Sequence, residues 1–151
     1  MKPMSVAAFL VLLCGAGALG GDQGDREKLI GSWELQGAPG DATPSGWIFS
    51  EQGNSLGVTQ LEGTRKITNF DCGVDGVSCE IKESGNKVAV SFWFNGPKLV
   101  QLETKGSGVV KRRFAIVSQA DVMDMEVIPI VPSGKTETFR FKRVQPSALG
   151  K

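Results

Sequence analysis

KVAVSFWFNGPKLVQLETKGSGVVKRRFAIV, residues 87–117, decides the fold. Val88, Val90, Phe92 and Phe94 fall on one parity and Ala89, Ser91 and Trp93 on the other. An extended chain therefore puts two valines and two phenylalanines of its first segment on one face, which should point into a core. Asn95-Gly96-Pro97 and Gly106-Ser107-Gly108 break the stretch with residues that accept turn geometry. The whole reads as three successive antiparallel strands.

Working outward, the same grammar repeats. SWELQ, GWIFS, LGVTQL, TRKITNF, VSCEIK, KLVQLET, VVKRRFAIV, VMDMEVIPI and TETFRFKRV are β-rich runs separated by Gly, Pro, Asn and Ser, among them Asp75-Gly76, Gly85-Asn86 and Ser133-Gly134. No segment keeps a helical period, and a strand roughly every 8 to 12 residues marks an all-β sandwich or barrel. Met123, Met125 and Val127 share the inward parity, as do Phe139, Phe141 and Arg143 in the last run.

The ends bound the location. Residues 1–20, MKPMSVAAFLVLLCGAGALG, show one lysine, an apolar run and then small residues, the order of a secretory signal peptide cleaved near Gly20. The run is shorter than the ~20 apolar residues of a membrane span, and no later stretch approaches that length, so no transmembrane segment is expected. A lipoprotein joined through Cys14 is disfavoured because Leu13 stands where a small residue belongs. Residues 21–28 are a polar lead, 29–144 one β domain and 145–151 a flexible tail.

Removing residues 1–20 takes away Lys2 and no acid, leaving 16 cations against 16 anions. That balance excludes nucleic acid as an expected partner, since phosphate binding needs a cationic excess on one face. Cys72 and Cys79 remain. If Asp75-Gly76 is a two-residue type I′ turn, Val74 faces Val77 and Cys72 faces Cys79 at a separation a disulfide accepts. The expectation is a disulfide formed in an oxidising compartment, secreted or periplasmic; two free buried thiols are the alternative.

With no histidine and no tyrosine, the usual acid–base and nucleophilic constellations are absent and an enzyme is not expected. Two sulfurs without histidine make a poor zinc site. The glycines sit in hairpins rather than between a strand and a helix, so no nucleotide cofactor motif exists. Glu34, Asp71, Asp75, Glu80, Asp124 and Glu126 are scattered, and alternation turns most of them toward water.

The run LIGSWEL, with its meander of hairpins and basic closing strand, resembles the lipocalin-like, or calycin, group. The chain is also similar to small exported bacterial proteins of uncharacterised function that open on a comparable tryptophan motif. The resemblance implies an antiparallel up-and-down barrel of about eight to ten strands. It also implies that a glycine-x-tryptophan on the first strand closes the barrel floor while a basic side chain from the last strand packs over the indole. Trp33 and Arg143 match those roles. In a closed barrel the first and last strands pair, so geometry points the same way.

The leading expectation is therefore a binding module holding a small apolar ligand, with Phe92, Phe94, Arg112, Phe114, Met123 and Met125 lining the interior. Arg112 shares a face with Val110, Phe114 and Ile116, where it would meet a ligand carboxylate, snorkel to the rim or pair internally with Glu103. The same large side chains could instead fill a small barrel. The alternative function is a protein-binding barrel, such as an inhibitor of an exported protease, with GDQGDREK as its arm.

Overall fold

In a computed structural model, residues 21–37, 43–117 and 121–145 are described; the expected signal peptide at 1–20 and most of the expected tail lie outside them. Ten antiparallel strands form a single sheet that curls into a nearly closed barrel. They are β1 (Gly31–Leu35), β2 (Gly46–Gln52), β3 (Ser55–Glu62), β4 (Arg65–Gly73), β5 (Cys79–Glu83), β6 (Asn86–Asn95), β7 (Lys98–Lys105), β8 (Gly108–Val117), β9 (Val122–Val131) and β10 (Glu137–Val144). Each pairs with its neighbour in sequence except β4 with β5, and β1 pairs with β10, which makes the up-and-down order expected from the sequence. Tight turns sustain the meander. Gln52 pairs with Ser55, Glu62 with Arg65, Asn95 with Lys98 and Lys105 with Gly108. In each case the intervening pair opens on a glycine with φ near +60°, a region closed to most side chains.

The sheet's two edges, β4 and β5, face each other. Here the hairpin expected around Asp75-Gly76 is overturned, because the connection crosses to β6. Gly76 N donates to Phe92 O at 2.8 Å, Asp75 bridges to Trp93, and Val77 N donates to the Asp75 carboxylate at 3.1 Å. An Asx turn thus replaces the type I′ hairpin. The disulfide is present nonetheless, joining the end of β4 to the start of β5 with Cα atoms 6.0 Å apart. It closes the barrel where no ladder does.

The polar lead 21–28, for which the sequence showed no sustained helical period, is helical. Helix α1 (Gly21–Leu29) lies across the barrel end that holds the start of β1 and the end of β10. Its amphipathic signal is weak because α1 offers the barrel a few residues at its C-terminal end rather than a stripe: Leu29 is 2% exposed, and Arg26 donates to Ser55 O and pairs with Glu51 at 3.7 Å. The last carbonyls of any helix lack intrahelical donors. Side chains supply them here: Trp33 Nε1 donates to Leu29 O at 2.9 Å, Arg143 Nη1 to Ile30 O at 2.7 Å and Arg143 Nη2 to Lys28 O at 2.5 Å.

The same guanidinium stacks 4.3 Å from the Trp33 ring centroid. Register puts Trp33 opposite Arg143. Gly31 makes the stack possible, because a Cβ there would strike Arg143 Nη1, and its φ of +141° is strained for any side chain.

Trp33→Ala should lower stability by about 3 to 5 kcal/mol, the range for a fully buried large side chain. Gly31→Ala, which adds only a methyl group, should cost about 1 to 3 kcal/mol through backbone strain and expulsion of the guanidinium. Urea midpoints measure both, and a Gly31→Ala protein as stable as the parent would show that the floor does not depend on this packing. Cys72→Ser with Cys79→Ser should cost about 2 kcal/mol for a loop this short.

Candidate functional site

The ladder fixes rows of side chains around the inner wall. Phe94, Leu99, Phe114, Met125 and Phe139 form one row from β6 to β10. Phe92, Gln101, Arg112 and Val127 form the next row toward the mouth, and Val90, Glu103, Val110 and Pro129 the one beyond. Met123 lies nearer the floor, beside Ile116 and Phe141. The six residues singled out from the sequence thus share one face. Phe92, Phe114, Met123 and Met125 are essentially fully buried, Arg112 is 9% exposed, and Phe94 is half-buried against the core.

Aromatic rings bridge the lumen. Trp47 stacks on Phe49 at 5.8 Å, and Phe114 from the far wall meets both edge-on, at 5.0 Å from Trp47 and 5.3 Å from Phe49. Edge-to-face contacts at such distances are favourable by about 0.5 to 1.5 kcal/mol each beyond their burial. Side chains from opposite walls therefore meet across the lumen at this level.

The mouth side of this bridge is polar. Arg112 Nη1 donates to Gln101 Oε1 at 3.1 Å and to Glu103 Oε2 at 3.2 Å, and its guanidinium carbon lies 6.0 Å from the Trp47 ring centroid. The Arg112 and Glu103 side chains are only 11% and 14% exposed. The internal pair with Glu103 is thus the arrangement formed, not a snorkelling arginine at the rim. Trp47 Nε1, Gln101 Nε2 and Arg112 Nε, beside the pair, are buried without a hydrogen-bond partner among the described residues, as are Thr68 Oγ1 farther along the wall and, elsewhere, Arg26 Nε and Arg113 Nε. Register carries this layer along the wall, with Trp47 beside Gln60 and Gln60 beside Thr68. Each such atom costs about 1 to 3 kcal/mol if nothing accepts from it.

Sequence reading missed Trp47, Gln101, Gln60 and Thr68. A signal was available for Gln101, which keeps the parity of Leu99 and Glu103 on β7. A buried glutamine between two inward positions is uncommon enough to mark a site. Trp47 gave no comparable signal, since the partners of its N–H depend on how the barrel closes.

The outer carboxylates pair or face water. Glu34, Asp71, Asp75 and Glu80 are exposed, and Glu126 meets Arg113 at 2.8 Å and Lys98 at 3.6 Å. Asp124 accepts from Arg140 and holds that guanidinium's pKa above its ordinary value, chiefly through the hydrogen bond. Among the described residues no cluster of three or more His, Cys, Asp or Glu is placed to hold a metal, and no helix is long and apolar enough to cross a membrane. The segment considered as an inhibitory arm is the helix docked on the floor.

No protein-family model matches the chain, and no curated protein matches it by sequence. Solved structures do match in shape. Secretory abundant heat soluble protein 4 from Ramazzottius varieornatus superposes with a TM-score of 0.63 at 13% identity, over 78% of this chain and 96% of that one. The Schistosoma mansoni fatty acid binding protein in complex with arachidonic acid gives 0.61 at 17% identity, over 80% and 99%. Human cRBP IV gives 0.55 at 15%, over 77% and 98%. The fold is that of the calycin-type barrels. At these identities the likeness concerns fold alone.

Arg112→Ala should cost about 3 kcal/mol or more, since it strands Glu103 in a buried position. Arg113→Ala, whose partner Glu126 keeps Lys98, should cost less than about 1 kcal/mol. Equal effects in thermal unfolding would place the two arginines in equivalent surroundings.

Proposed function

We propose that the chain is an exported binding module that holds a small, largely apolar molecule inside the barrel, on the mouth side of the Trp47–Phe49–Phe114 bridge. The observation that carries this reading is the set of buried donors, Trp47 Nε1, Gln101 Nε2 and Arg112 Nε, gathered at one arginine with nothing among the described residues accepting from them. Buried polar groups in folded proteins are nearly always satisfied, by protein, water or ligand. Apolar walls with a few convergent polar groups are the usual make-up of a small-molecule site. Phe92, Phe94, Phe114, Met123 and Met125 supply the apolar support, and the methionines adapt to irregular shapes.

Barrels of the same fold support the class of ligand, one being described as a fatty acid binding protein with arachidonic acid and another as a fatty acid transporter. Export fits the disulfide and the leader-like residues 1–20. Binding rather than catalysis fits a chain with no histidine and no tyrosine.

Titration of the delipidated protein with an uncharged hydrophobic fluorophore should saturate at one molecule per chain. Gln101→Leu should weaken binding about five- to tenfold by removing one donor, the net value of one hydrogen bond. Apolar probes that never bind, or bind indifferently to Gln101→Leu and Phe92→Trp, would remove the interior site from consideration.

A further inference from the structure

We propose that the interior site selects an uncharged polar head group and that Glu103 is the residue that turns carboxylates away; this rests on the reading of the barrel interior as the binding site. An arginine on an apolar wall is ordinarily a carboxylate receptor, because its fork of donors matches two anionic oxygens. Arg112 is already engaged. Its Nη1 is shared between Gln101 and Glu103, and the Glu103 carboxylate lies 3.2 Å away in the same largely buried environment. The pair is electrically complete. A ligand carboxylate would become the second anion beside one guanidinium, with its attraction to Arg112 opposed by repulsion from Glu103. It would also bear the desolvation of a buried ion, which water no longer offsets.

Among the described residues, the charges toward the mouth offer no compensating cation. Lys105, toward the mouth on β7, pairs with Glu83 at 3.8 Å, and Glu137 adds a negative charge at the mouth end of β10, in register with Val127. What the site does offer is hydrogen-bond donors without a partner among the described residues: Arg112 Nε, Gln101 Nε2 and Trp47 Nε1. Such a set fits an acceptor oxygen that brings no charge, as in an alcohol, ester, amide or ketone. Glu103 thus acts on specificity through Arg112, by cancelling the charge that an acid would need.

The test compares decanol, methyl decanoate and decanoate, which share an alkyl chain and differ at the head. Each is used to displace N-phenylnaphthylamine from the delipidated full chain at a pH where decanoic acid is ionised. Decanol and methyl decanoate should displace the dye at concentrations at least about tenfold below decanoate. Glu103→Gln keeps an acceptor for Arg112 while removing the charge, and should raise decanoate affinity about tenfold or more with little change for decanol. A parent protein that prefers decanoate, or a Glu103→Gln protein with an unaltered order of preference, overturns the inference and leaves the interior site standing. If the dye binds and none of the three displaces it, the inference is likewise overturned. If neither dye nor probe binds at all, the interior site itself fails and this inference with it. Should Glu103→Gln not fold, the parent's order of preference still decides.

Discussion

Everything in this barrel is anchored by one stacked pair, the Arg143 guanidinium on the Trp33 indole with 4.3 Å between charge and ring centroid. The pair joins the first strand to the last, which is the step that turns a meander into a barrel. Its outward-facing hydrogens then cap helix α1 through Lys28 O and Ile30 O, while the indole N–H takes Leu29 O. The Arg143 side chain is 28% exposed, and these carbonyls and the indole face take the part of it that leaves water. Closure, helix docking and the floor are therefore one cooperative unit, and the glycine at 31 exists to let the guanidinium through.

Most of the architecture was legible because strands write their faces with a period of two and this chain keeps that period. Each of the ten β-rich runs read from the sequence is a strand in the structure. What escaped reading depends on partners far away in sequence. Helix α1 has no apolar stripe to betray it and is held by donors from Trp33 and, more than a hundred residues on, Arg143. Asp75-Gly76 carries ordinary hairpin chemistry, yet the backbone N–H of Gly76 finds Phe92 O rather than a β4–β5 ladder. Local turn preference lost to a tertiary hydrogen bond, and the cysteines still met because both ends of the connection return to the same barrel edge.

The interior was half legible. Alternation placed Phe92, Phe94, Arg112, Phe114, Met123 and Met125 on one wall, since parity needs no knowledge of closure. It also allowed the Arg112–Glu103 pair, because both residues lie on adjacent strands of one hairpin with matching parity. The polar layer contributed by Trp47, Gln60 and Thr68 comes from β2 to β4, across the lumen from β8, and no local pattern specifies which residues meet across a lumen. Only the closed barrel brings Trp47 against Phe114 and Arg112.

Two tryptophans make the division of labour plain. Trp33 and Trp47 are directly opposed on β1 and β2, both fully buried. The Trp33 N–H is matched by Leu29 O at 2.9 Å, whereas the Trp47 N–H, the same chemical group at neighbouring depth, finds no acceptor among the described residues. If stability alone had shaped the barrel, phenylalanine at 47 would keep the stacking on Phe49 and the edge contact with Phe114 while removing a group that costs about 1 to 3 kcal/mol when unpaired. The indole is informative because it is the less stable choice. Departures of this kind from local optimality are expected where a site holds something other than the protein itself. At the floor the indole N–H meets a carbonyl of the chain's own helix, while the Trp47 layer keeps several buried donors that meet no acceptor among the described residues.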